Sequence, residues 1–119
     1  MTAAELLDFD DQLDQLAVAR PEALGEAREL LVRCLQAGLP VPGLGTYNSD
    51  VVVEWKGHFY GWAMVTVPGD GRWLCDSAVS LNDTGSRWDV RELETTNVKE
   101  AVGFISAAFS QALQIGAGS

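Results

Sequence analysis

Three groups of residues have side chains that could do chemistry. His58, the only histidine, lies in VEWKGHFYGWAMV (Val53 to Val65), flanked by two tryptophans and a tyrosine. With Cys75 and Asp76 it offers a nucleophile and a base, a pairing that needs hydrogen-bond reach. Cys34, His58 and Cys75 together carry the donor atoms of a zinc site. Neither constellation has the spacing its chemistry uses, since no C-x-x-C or H-x-x-x-H pair occurs. The expectation is two reduced, buried thiols, a histidine at a hairpin tip, and no catalytic residue, metal or cofactor.

The second group is DFDDQLD, in which Asp8, Asp10, Asp11 and Asp14 fall within two helical turns. It lacks the central glycine and closing glutamate of a calcium loop. As a helix face, Asp10 and Asp14 repel at i,i+4 by about 0.2–0.5 kcal/mol, offset in part by the helix dipole. A solvated face explains it, and so does a contact with a basic partner. The third group is the loop-like GLGTYNS and NDTGS. The first has G-x-G but no lysine and no following helix, so it is no phosphate cradle. The second is accounted for by a turn.

The chain's charge narrows the classes further. Seventeen acidic residues against 8 basic give a net charge of −9 over 119 residues, which opposes direct binding to nucleic acid or to anionic lipid. The excess is spread along the chain, with 8 acids and 3 bases in residues 1–38 and 9 acids and 5 bases in residues 39–119. A hydrophobic content of 47 % suits one core, so a single domain over residues 1–119 is expected. No apolar run reaches the roughly 20 residues of a membrane helix, and the start is acidic where a signal peptide is basic, so a cytoplasmic protein with no membrane contact is expected.

The elements that must position these residues are legible as patterns. Thr2 and Glu5 form a capping box, and Leu6, Phe9, Leu13 and Leu16 share one face of a helix running to about Ala19. A second helix starts at Pro21, carries Leu24, Ala27, Leu31, Cys34 and Leu35 on one stripe, and stops at Gly38 before Pro40. Residues 1–38 thus read as a helical hairpin. Residues 39–50, rich in glycine and proline, read as a connector. Residues 51–94 hold four strand-like runs, VVVEW, FYGWAMVTV, RWLCDSAVSL and RWDVREL, separated by short turns, so a four-stranded antiparallel meander is expected. Asn97 with Glu100 opens a C-terminal helix over 97–115, packed on the sheet. The fold class is α+β.

Turn lengths set the faces of such a sheet, because a one-residue slip inverts every side chain. A two-residue Gly57-His58 turn, a four-residue PGDG turn and a four-residue turn at Asp83 to Ser86 gather Val51, Val53, Trp55, Tyr60, Trp62, Met64, Trp73, Cys75, Val79, Leu81, Trp88 and Val90 on one side. That side is the expected core, tryptophans included. The other carries Val52, Phe59, Gly61, Ala63, Val65, Val67, Leu74 and Ala78 among Glu54, Asp76, Arg87, Asp89 and Arg91. An apolar patch rimmed by charge suits a partner or a second subunit.

The function these features favour is a small acidic, non-enzymatic protein-binding module: an adaptor, a chaperone-like protein or an inhibitor. It engages a basic or apolar surface through Phe59, Ala63, Val65 and Val67 and through Asp8, Asp11 and Asp14, with a homodimer through the second sheet face as one form. Two other classes stand beside it. One is an antagonist of phage or mobile-element type, which mimics nucleic-acid charge inside a bacterial protein's binding channel. The other is a small-molecule sensor with a tryptophan-lined pocket. A small enzyme using His58 or the carboxylates is the weakest reading.

Overall fold

A computed structural model describes residues 11–12, 21–56, 61–81 and 87–118, with side chains as far as residue 110. Asp11 and Gln12 are helical, and the rest of the expected first helix lies outside the described residues. Helix α1 spans Pro21–Ala37. Proline at its first position loses no hydrogen bond, and Glu22 in the first turn suits the positive end of the helix dipole. Ala23, Ala27, Leu30, Leu31 and Cys34 recur at helical spacing and are buried. Gly38, with φ +72°, ends the helix in a Schellman motif: its N–H donates to Leu35 O (3.2 Å) and the Leu39 N–H donates to Cys34 O (3.1 Å).

Five strands follow: β1 Gly43–Tyr47, β2 Asp50–Lys56, β3 Gly61–Val67, β4 Trp73–Ser80 and β5 Trp88–Thr95, forming one antiparallel meander in sequence order. The expected count of four is therefore corrected. The connector at 39–50 hides β1, an edge strand whose glycines pack nothing and so leave no apolar alternation to read. Asn48 (φ 51°) and Ser49 (φ 72°) are its hairpin turn, the type I′ geometry whose twist matches the flanking strands. Helix α2, Val98–Gly118, closes the chain. Asn97 caps it by accepting the Lys99 N–H (2.9 Å), while Glu100 Oε2 accepts the Thr95 hydroxyl (2.7 Å).

Both helices lie on one face of the sheet, α1 over β2 and β3, α2 mainly over β4, with further contacts to β3 and β5. Beneath them Val51, Val53, Trp55, Ala63, Val65, Val67, Trp73 and Cys75 meet Ala27, Leu30, Leu31, Ala101 and Ile105 in one core. The expected register is wrong in part, and the error has a simple parity. Trp55 pairs with Ala63 instead of Tyr60, Thr66 with Leu74 instead of Trp73, and Ser80 instead of Leu81 with Trp88. Each displacement is odd, so β3 is inverted, β4 is inverted twice and restored, and β5 is inverted again. Ala63, Val65 and Val67 point inward, whereas Trp62, Met64, Trp88 and Val90 point outward.

Volume explains the choice. Trp55, fully buried, lies beside Ala63, and its Nε1–H donates to Pro40 O (2.9 Å), so the largest inward side chain faces the smallest and keeps its polar atom satisfied. The expected face would have stacked bulky aromatics on adjacent strands. Two glycines allow close approaches: a Cβ on Gly61 would overlap the Ala78 carbonyl, and one on Gly69 (φ +93°) would press on the Ala23 backbone, where the β3–β4 turn docks on α1.

Candidate functional site: the uncovered sheet face

The face away from the helices is covered by no described element. Its residues follow from the pairing: Gly43, Gly45 and Tyr47 on β1; Asp50, Val52, Glu54 and Lys56 on β2; Trp62, Met64 and Thr66 on β3; Leu74, Asp76, Ala78 and Ser80 on β4; Trp88, Val90, Glu92 and Glu94 on β5. Two zones emerge. Trp62 pairs with Ala78, Ala78 with Val90, and Ser80 with Trp88, which makes an apolar corner across β3 to β5. Trp88 is 48 % exposed and Val90 68 %. Beside it, Asp76 sits opposite Glu92, and Glu94 lies one step further along β5.

Like charges directly opposite on neighbouring strands repel. Partial burial, and then the charge of Glu92, raise the Asp76 carboxyl above its ordinary 3.8. Of these carboxylates Glu94 has a cation beside it, Arg72, whose Nη1 reaches Oε1 at 2.8 Å. Arg72 also clamps Asp70 at 2.7 Å, and its hydrogen bonds lower the Asp70 carboxyl. Asp89 and Arg91 pair with each other (2.8 Å) on the inner side of β5. Asp76 and Glu92, with Leu74, Cys75, Leu93 and Glu94, line a shallow depression of about 480 Å³.

A second groove of about 480 Å³ lies at the opposite end of this face, over β1 to β3. Gly43 and Gly45 form its floor for want of side chains, and Tyr47, Val52, Glu54, Met64 and Thr66 stand around it. Tyr47 is 69 % exposed.

The residues expected from sequence to bind a partner are placed differently. Ala63, Val65 and Val67 are wholly buried under the helices, so their assignment to an exposed face is corrected. Phe59, Asp8 and Asp14, like His58, lie outside the described residues, and Asp11 is exposed on a helical turn. Trp55 and Trp73 are core residues as expected, while Trp62 and Trp88 belong to the outer face. Cys34 and Cys75 are free and buried, and burial pushes both thiols up to about 12, which keeps them protonated and unreactive at neutral pH. Among the described residues no group of three or more His, Cys, Asp or Glu is arranged to hold a metal ion, and no helix is long and apolar enough to cross a membrane.

Sequence reasoning missed Trp62, Trp88, Val90, Glu92 and Glu94 as outward residues. RWDVREL alternates ambiguously, with Trp88 and Val90 on one side and Leu93 on the other. The usable signal lay further on: Thr95, tied to the cap of α2, must face the helices, and counting back by two puts Leu93 inward and Trp88 outward. No family model matches the chain, and no curated protein or solved structure matches it at a significant level.

Proposed function

We propose that this chain is a small acidic protein-binding module without catalytic activity, whose outer sheet face, covered by no described element, receives a partner surface that combines apolar and basic side chains. The observation that carries the reading is the outer corner of β3 to β5, where exposed Trp88 and Val90 adjoin Asp76, Glu92 and Glu94. The Val90–Ala78 pair stands between Trp88 and the Asp76–Glu92 pair, so an arginine or lysine stem can lie on Val90 and pair with the acids next along the strands, while Trp88 takes a neighbouring apolar side chain. Aromatic anchors of this kind contribute most of the binding energy in protein interfaces. A cation entering between Asp76 and Glu92 would also relieve their mutual repulsion. A second copy of the chain is the less suited occupant, because two such faces would oppose acid to acid.

The experiment is capture of host proteins on the immobilised chain, repeated with Trp88→Ala and with the double reversal Glu92→Lys and Glu94→Lys. The expected result is a small set of basic proteins retained at low salt, weakened by salt and lost from both variants. Retention of the same proteins by both variants would overturn the reading.

A further inference from the structure

Among the described residues the two edge strands of the sheet, β1 and β5, are not equivalent. β5 carries Asp89, Arg91, Glu92 and Glu94, charges on both of its faces, which is how sheet edges discourage pairing with other chains. β1, GLGTY, has no charged residue and no proline, and among the described elements it packs on β2 alone. The type I′ turn at Asn48-Ser49 makes Tyr47 and Asp50 a hydrogen-bonded pair, so Gly45 with Val52 and Gly43 with Glu54 are bonded in turn. It follows that the N–H and C=O groups of Leu44 and Thr46 point away from the sheet. The glycine-floored groove lies immediately beside this edge, with Gly45 in line with Val52 and Thr66, and Gly43 in line with Glu54 and Met64.

We infer that the β1 edge accepts an extended segment of a basic protein as a sixth strand, with a large apolar side chain lying over Gly45 and a lysine or arginine lying over Gly43 towards Glu54. The inference rests on the protein-binding reading and specifies where and how an extended segment docks. Leu44 and Thr46 provide the backbone ladder, as in other cases of strand addition. Side chains of an added strand alternate, so the apolar and basic residues stand two apart in the partner segment. An aromatic or long aliphatic group over an edge glycine fills the space that its missing Cβ leaves, and at Gly45 that space opens onto Val52. The net charge of −9 favours a cationic segment over a second copy of this chain.

The test is selection of a random decapeptide library displayed on messenger RNA against the purified full chain, followed by binding of the enriched peptides to two variants. Thr46→Pro removes an outward N–H while leaving the β1–β2 ladder intact. Gly45→Val puts a side chain into the groove, and its Cβ meets open space, nothing lying within 4 Å of it. The expected outcome is an enriched pattern of a large apolar residue two positions from a lysine or arginine, with affinity at least tenfold weaker for each variant. Slowed amide exchange at Leu44 and Thr46, with no change at Gly45, is expected in the complex. Near-ultraviolet circular dichroism from the buried Trp55 and Trp73 reports that each variant remains folded. Peptides that bind Thr46→Pro as tightly as the parent, or a library that enriches no such pattern, would overturn strand addition. If enriched peptides instead lose affinity on Trp88→Ala and keep it on Thr46→Pro, the outer-face reading stands and this inference alone falls.

Discussion

The two faces of this sheet are made from the same kinds of residue and behave as opposites. Inside, Val53, Trp55, Ala63, Val65 and Cys75 are almost wholly shielded, and the one polar atom of Trp55 has a partner. Outside, Trp62, Trp88 and Val90 share a surface with Asp76, Glu92 and Glu94, two of which repel each other. The difference teaches that hydrophobicity alone does not assign a face. The two described helices cover one side, and the side they take is the one where large and small residues interlock. What remains outside sets exposed Trp88 and Val90 beside acidic side chains.

The largest effect should come from breaking the inner face. Trp55→Ala removes a buried side chain and leaves the Pro40 carbonyl without its donor, so a loss of about 3–5 kcal/mol is expected in urea unfolding. Gly61→Ala tests the register itself: a methyl group there meets the Ala78 carbonyl, and a loss of about 1–3 kcal/mol should appear in the same assay. If Gly61→Ala were neutral, the pairing of β3 with β4 would be wrong.

On the outer face the same kind of truncation should do little to stability. Trp88→Ala should change it by no more than about 0.5 kcal/mol while abolishing capture of the partner, and a loss as large as that of Trp55→Ala would erase the contrast between the faces. Asp76→Asn sharpens it from the electrostatic side. Because the folded carboxyl titrates above 3.8, the folded chain keeps its proton where the unfolded chain has released it. That stabilisation is complete below 3.8 and is lost as pH rises through the folded value. Asp76→Asn should therefore stabilise the protein by about 0.2–1 kcal/mol at pH 7, relieving the cross-strand repulsion, with no such gain in acid. The smallest signal is chemical: with both thiols near 12, neither Cys34 nor Cys75 should react with a disulfide reagent at pH 8 until the chain is unfolded.

Much of the molecule was legible before any coordinates. Pro21, Gly38 and Asn97 mark helix boundaries because their backbone chemistry works at any such site, whatever packs around it. The antiparallel meander was readable from its turn residues, and the inward set of β2 and β4 was read correctly except for Leu81, which lies past the end of β4 and is exposed. β1 was missed because Gly43 and Gly45 leave no side-chain pattern, and the candidate surface was misplaced because it depended on hairpin length. An odd error at the first turn exchanged Ala63, Val65 and Val67 for Trp62 and Met64, and another exchanged Leu93 for Trp88 and Val90.

Local sequence thus determined where α1 starts and stops and where α2 starts, though α2 runs on to Gly118 past the expected residue 115, that the chain is acidic, and that its strands pair in order. These depend on φ preferences, capping and charge, which act over a few residues. Only the tertiary structure decided which side of the sheet became core. A β ladder makes equally good hydrogen bonds in neighbouring registers, so the backbone does not choose between them; the fit of Trp55 against Ala63 beneath two helices does. The exposed corner at Trp88 and the bare edge at β1 are consequences of that fit.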